Sequence, residues 1–84
     1  MYYIYVLRSL IDKKLYTGYT DNLRNRFNLH NKSRILSTKH RAPFELIYYE
    51  AYKVEKDARV REHNLKLRAN ALSQLKRRII NSLS

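Results

Sequence analysis

The sequence predicts a small α+β domain, a three-stranded antiparallel sheet flanked by about three helices, and three observations lead there. Two runs rich in tyrosine and β-branched residues, YYIYVLR at 2–8 and KLYTGYT at 14–20, open the chain with a short polar-ended connection between them. A third such run, FELIYYEAY at 44–52, follows the only proline. Elsewhere the apolar residues recur at helical rather than alternating spacing. The 84 residues suffice for one domain, 1–84, with a modest core, and contain no repeat, low-complexity segment or linker.

Each element has its own signal. Residues 2–8 suit a half-buried pleated surface and read as the first strand. SLIDK at 9–13 is longer than a two-residue turn, so the hairpin into the second strand at 14–20 carries a loop. Thr20 or Asp21 is the expected N-cap of a helix reaching about Asn31, with Leu23 and Phe27 four apart on its inner side. KSRILSTKHRAP at 32–43 shows no sustained period and reads as a long loop. After the third strand at 44–52, a second helix is expected from Val54 to Arg68, with Val54, Ala58 and Leu65 as its apolar stripe. A third is expected from Ala71 to about Ser82, capped by Asn70, with Leu72, Leu75 and Ile79 inward.

Charge narrows the partner. Lys and Arg number 18 against 7 Asp and Glu, a formal charge of +11. That excess on so small a body implies a polyanionic partner, DNA, RNA, an acidic membrane surface or an acidic protein, and nucleic acid is favoured over a merely solubilising surface. The absence of cysteine excludes disulfides and thiolate metal sites. The start, MYYIYVLRSL, lacks a basic n-region, and Arg8 interrupts its apolar run. It reads as neither a signal peptide nor a membrane span, and the expectation is a cytoplasmic protein with no membrane partner.

Several residues have chemical potential. Tyr3 and Tyr5 alternate with Ile4 and Val6, and Tyr16 shares their face if the two strands pair. Core or rim packing is the ordinary use of such tyrosines. Gly18 is the only glycine in the chain and stands inside a strand run, which signals a bulge or a close approach to the backbone. Leu23, Arg26, Phe27 and His30 form one helical stripe, so Arg26 and His30 lie at the buried side or its edge. They are either a snorkelling arginine beside a boundary histidine or an anion site between helix and sheet. Arg61 and Glu62 occupy a missing apolar turn of the second helix. A carboxylate there needs a cation, either an arginine such as Arg61 or a metal. Magnesium suits a lone carboxylate, because water and substrate phosphate complete its shell. His30, His40 and His63 have no zinc spacing. The loop's Arg34, Lys39, His40 and Arg41, with Ser37 and Thr38, suit phosphate contacts. Lys76, Arg77 and Arg78 read as a solvated basic face.

Taken in order, YIY at 3–5, YTG at 16–18, Arg26, His30 and Glu62 resemble the GIY-YIG nuclease superfamily, and within it the small stand-alone bacterial (UPF0213-like) members. The resemblance covers nearly the whole chain. Tyr3 stands where the first motif opens with glycine, and Thr17 where the second has isoleucine. The resemblance implies that Tyr5, Tyr16, Arg26, His30 and Glu62 are catalytic, and that Glu62 holds Mg²⁺ or Mn²⁺. Gly18 matches the motif glycine, and it is expected to adjoin the nucleic acid together with the loop residues Arg34, Lys39, His40 and Arg41. Asn64 and Asn70 are the candidates for an asparagine that often follows the glutamate. The implied activity is metal-dependent hydrolysis of a DNA phosphodiester, structure- or damage-directed with little sequence specificity, with targeting by a partner protein a possibility. The alternatives are a nucleic-acid-binding module with weak or no catalysis, and a basic adaptor for proteins.

Overall fold

In the computed structural model, which describes residues 1–84, the first strand β1 (Tyr2–Ser9) lies in the middle of the sheet. It is flanked by β2 (Leu15–Thr20) and β3 (Phe44–Tyr52), both antiparallel to it, in the order β2-β1-β3. The strands were expected at nearly these positions. Alternation along β1 divides the core in two. Ile4 and Val6 point to one face, where Ala58, Leu65 and Leu75 meet them. Tyr5 and Leu7 point to the other, where they pack with Phe44 and with the partly buried Tyr16, Leu23 and Phe27. The helices therefore cover both faces: α1 (Leu23–Asn31) one, α2 (Glu55–Leu67) and α3 (Ala69–Arg78) the other, before a final turn of helix, α4 (Ile80–Leu83). No helix is long and apolar enough to cross a membrane.

The β1–β2 connection is organised by Ser9, whose Oγ accepts from the Ile11 and Asp12 N–H groups at 3.1 and 3.3 Å and donates to the Arg41 carbonyl at 2.6 Å. Lys13 closes the turn with a φ of 62°. Along β3 the register shifts: Val6 faces Tyr48 and Leu7 faces Leu46, which leaves Ile47 as the extra residue of a bulge.

Three expectations at helix ends are corrected. The cap of α1 is Asn22, whose Oδ1 accepts from the Asn25 N–H at 3.1 Å, rather than Thr20 or Asp21. Pairing with Tyr3 keeps Thr20 in the strand, so the helix starts later. Val54 is outside the α2 stripe; it is the N-cap, 51% exposed. Asn70 caps nothing, because Arg68, in extended backbone at φ −115° and ψ 105°, both ends α2 and precedes α3, leaving Asn70 in the first turn. The third helix also stops at Arg78, so four helices stand where about three were expected. In the 32–43 loop, Lys39–Arg41 form a single 3₁₀ turn.

Ion pairs fasten the periphery. Arg8 binds Glu45 at 2.6 Å and the Leu83 carbonyl, drawing the last helix to the sheet. Arg61 forks onto Glu50, which also accepts from the Tyr48 and Tyr52 hydroxyls. Against β2, Tyr19 donates to Glu55 at 2.7 Å and lies 3.7 Å beneath the Arg59 guanidinium, which anchors the start of α2.

Gly18 is opposite Tyr5, and the Tyr5 ring lies across it. Its φ is not positive, so the requirement is for space rather than for an unusual backbone. A Cβ there would meet Tyr5 Cε1 at 2.9 Å, and Cζ and Oη closer still. Gly18→Ala is expected to destabilise the fold by roughly 1–3 kcal/mol, the usual range for overpacking. Urea unfolding should show that loss in the native background and less of it beside Tyr5→Ala. An equal loss in both backgrounds would mean that the tyrosine is not what excludes the side chain.

Candidate active site

The tyrosine face of the sheet gathers a cluster between β1, β2, α1 and the loop. Tyr5 is 1% exposed, so its hydroxyl cannot be left to water. It meets His30 Nε2 at 2.9 Å, and His30 Nδ1 meets Thr38 Oγ1 at 2.7 Å. Leaving a buried polar group unpaired costs about 1–3 kcal/mol, so this chain of hydrogen bonds accounts for all three residues being buried together. His30 is 0% exposed, packed edge-on against Tyr5, Tyr16 and Phe44 with ring centroids 5.6, 5.2 and 5.7 Å away. It is a core residue, not a boundary one. Tyr16 completes the group, its ring 6.4 Å from that of Tyr5.

Arg26, four residues before His30, brings its guanidinium beside the Tyr5 phenol. Its Nε is buried and has no acceptor. Four arginines of the chain are half-buried. Arg8, Arg41 and Arg61 each have a carboxylate partner; Arg26 has none.

These neighbours set the protonation states. Burial lowers the His30 pKa to about 4, with the positive charge of Arg26 adding to the effect, so the imidazole is neutral at physiological pH. Burial raises the Tyr5 pKa; Arg26 opposes that, while Tyr16 and Glu62 add to it. Tyr5 is therefore a neutral phenol next to a neutral imidazole.

Glu62 approaches from α2. Its side chain is 18% exposed and is held by Lys66 at 3.0 Å and Arg59 at 3.8 Å, not by Arg61, which is committed to Glu50. Lys66 Nζ lies 5.8 Å from the Tyr16 ring centre, linking this flank of α2 to the cluster. No group of three His, Asp or Glu side chains surrounds Glu62. Asn64 is two positions further along the helix, where it does not face Glu62, and Asn70 is exposed.

Of the loop residues, Arg34, Lys39 and His40 are exposed. Arg41 instead braces the hairpin, through Asp12 at 2.9 Å and the Lys14 carbonyl at 3.1 Å. Gly18 is buried beneath Tyr5. Thr38 is the member that the sequence did not single out for this cluster. A hydroxyl eight residues from a histidine, in a loop without periodicity, carries no local signal for the contact.

Residues 1–78 match the model of the GIY-YIG catalytic domain. The chain is 44% identical over 71 residues to a UPF0213 protein of Pediococcus pentosaceus, covering 83% of this chain and 74% of that protein. It is 37% identical over 67 residues to the UPF0213 protein CPE1444 of Clostridium perfringens, covering 79% and 71%. It is also 36% identical over 66 residues to the UPF0213 protein OB0043 of Oceanobacillus iheyensis, covering 77% and 76%. No solved structure matches the chain.

The histidine gives a direct test of the geometry. Its folded pKa lies below the ordinary value of 6.5, so as the pH falls the unfolded chain takes up the proton first. Stability should be full above about pH 6.5 and decline toward pH 4, by at most about 3 kcal/mol. Proton NMR of His30 should show titration near pH 4, and Thr38→Val should lower stability by about 1–3 kcal/mol. A His30 that titrates near 6.5 would contradict the buried hydrogen-bond chain.

Proposed function

The chain belongs to the GIY-YIG catalytic-domain family, and we propose that it is a metal-dependent DNA endonuclease, structure- or damage-directed with little sequence specificity, acting in the cytoplasm. The observation that carries this reading is Arg26, a half-buried guanidinium with no carboxylate and a buried Nε–H with no acceptor, beside a phenol–imidazole pair. An anion satisfies that donor, and the scissile phosphate is an anion whose charge grows as the phosphorus is attacked.

The chemistry follows from the protonation states. With the His30 proton on Nδ1, donated to Thr38, Nε2 is free to accept from Tyr5. For this the buried phenol has to open to the substrate side; the attacking water then gives its proton to Tyr5 Oη as the tyrosine's own proton passes to His30 Nε2. The water oxygen bonds to phosphorus while the opposite P–O ester bond breaks, and the departing oxygen takes a proton from solvent. A neutral phenol is a weak base, and the relay to the imidazole is what makes it serviceable. Pairing with phosphate also mutes the positive charge of Arg26, one of the two causes of the low His30 pKa. Tyr16 supports the ring positions.

Glu62 fits a magnesium or manganese ion. It is the carboxylate of this flank, and its present partners are exposed cations whose pairing is worth only about 0–1 kcal/mol, so they yield readily. A single carboxylate suits an ion that completes its shell with water and phosphate. When bound, the ion supplies Lewis-acid stabilisation of the phosphoryl and leaving oxygens. Arg34, Lys39 and His40 stand free along the loop to contact backbone phosphates, and RNA offers them the same groups.

End-labelled single-stranded, duplex, nicked and branched DNA, incubated with Mg²⁺, Mn²⁺ or EDTA, tests the reading. Cleavage is expected only with the metal, and Glu62→Ala should abolish it while keeping binding within a few-fold. Tyr5→Phe should slow it by roughly 10²–10⁴-fold, and Arg26→Ala by roughly 10²–10³-fold. Binding without cleavage across all metals and substrates would make the protein a nucleic-acid-binding module. Replacing Lys39 by alanine should reduce the salt dependence of binding by about one phosphate contact.

A further inference from the structure

On the tyrosine face, flanking α1 on the side away from Arg26, runs an open groove of about 470 Å³, a volume typical of small-ligand sites. Its apolar lining is Tyr3, Leu23, Phe27, Leu46 and Tyr49. Tyr3 and Tyr49 meet edge to face at 6.2 Å, which leaves Tyr49 52% exposed. None of the cluster residues of the proposed reaction lines it.

Three features say what belongs there. The register pairs Tyr49 with Tyr5, and the Tyr5 ring leans the other way over Gly18, so the groove lies about two strand spacings, roughly 10 Å, from the phenol placed at the reaction. Arg24 lines the groove, and Arg26 is two residues further along α1, roughly 160° away around the helix. One arginine is therefore offered to each side of the helix, as a backbone passing from one site to the other requires. Last, the lining includes Asp21 and Asn22 beside Arg24, so hydrogen-bond donors and acceptors accompany an aromatic surface. That mixture matches the edge and face of a nucleobase. The net charge of +11 favours the polyanion that carries one.

We propose that this groove is a subsite for one unpaired nucleobase of the nucleic-acid substrate, stacked on Tyr49 and walled by Tyr3, within a nucleotide or two of the scissile phosphate. The proposal deepens the nuclease reading and rests on it. A paired base has both faces covered by its neighbours in the duplex, so only an unpaired or displaced one reaches the ring. The groove thus selects substrates with an unpaired nucleotide close to the cut.

The test is fluorescence anisotropy in EDTA, where nothing is cleaved, with a duplex carrying one bulged thymidine and the same duplex carrying an abasic unit at the bulge. The wild-type chain is expected to bind the thymidine form roughly 5- to 150-fold more tightly, the range for one base stacked on an aromatic ring. Tyr49→Ala should bind the two alike, and Tyr49→Phe should keep the difference. Equal affinities in the wild type, or a difference that survives Tyr49→Ala, would overturn the subsite and leave the nuclease reading intact. No binding of either duplex at low salt would overturn both. Self-association in sedimentation velocity that Tyr49→Ala dissolves would overturn the subsite by assigning the groove to a second copy of the chain.

Discussion

Tyr5 lies flat over Gly18 and gives its hydroxyl to His30, and the arrangement of the tyrosine face depends on that contact. The ring reaches across to β2, and only a residue without Cβ leaves room for it there. Once the ring is there, the phenol is carried out of water and must find a partner within the protein. That partner, His30, is also out of water and needs Thr38 for its second nitrogen. A single packing decision on β1 therefore fixes the residue opposite it on β2, the rotation of α1, and one anchor of the loop.

The electrostatic design sits on top of this. A chain with +11 net charge has too few carboxylates to pair its cations, and their placement separates structural arginines from available ones. Glu45, Asp12 and Glu50 are used to pin Arg8, Arg41 and Arg61 where strands, hairpin and helix must be held. The tyrosine face has no carboxylate against its arginine. Arg26 lowers the His30 pKa and works against the rise in that of Tyr5, while keeping its own donor unspent. Its surroundings are those of an anion site that no internal acid has neutralised. Glu62 is the exception on this side of the molecule, and it is held only by exposed cations.

In the proposed enzyme the two flanks of α1 divide recognition from reaction. Leu23 and Phe27 seat the helix on the sheet, and the residues on either side of them reach different surroundings, Arg26 and His30 the hydrogen-bonded cluster and Arg24 the aromatic groove. Because β1 and β3 are in register at Tyr5 and Tyr49, both surroundings are built on adjacent strands of one rigid sheet. Their separation is set by strand spacing rather than by a movable loop.

The sequence by itself determined the order of strands and helices, the two faces of β1, the inward stripe of α1 and the need for something special at Gly18. All of these follow from local periodicity and from the chemistry of single residues. It also carried, in the ordered spacing of its motifs, the family to which the chain belongs. Tertiary structure decided the rest. Strand pairing held Thr20 in β2 and moved the α1 cap to Asn22, and the break at Arg68 put Asn70 inside α3 instead of before it. Whether Arg41 was free for phosphate or tied to Asp12, and whether Glu62 answered to Arg61 or to Lys66, depended on partners distant in sequence or on competition between neighbours. Thr38 beneath His30 and Tyr49 beside Tyr5 are of the same kind. A residue's own period shows which way it faces, but the group it meets there is chosen by the folding of the whole chain.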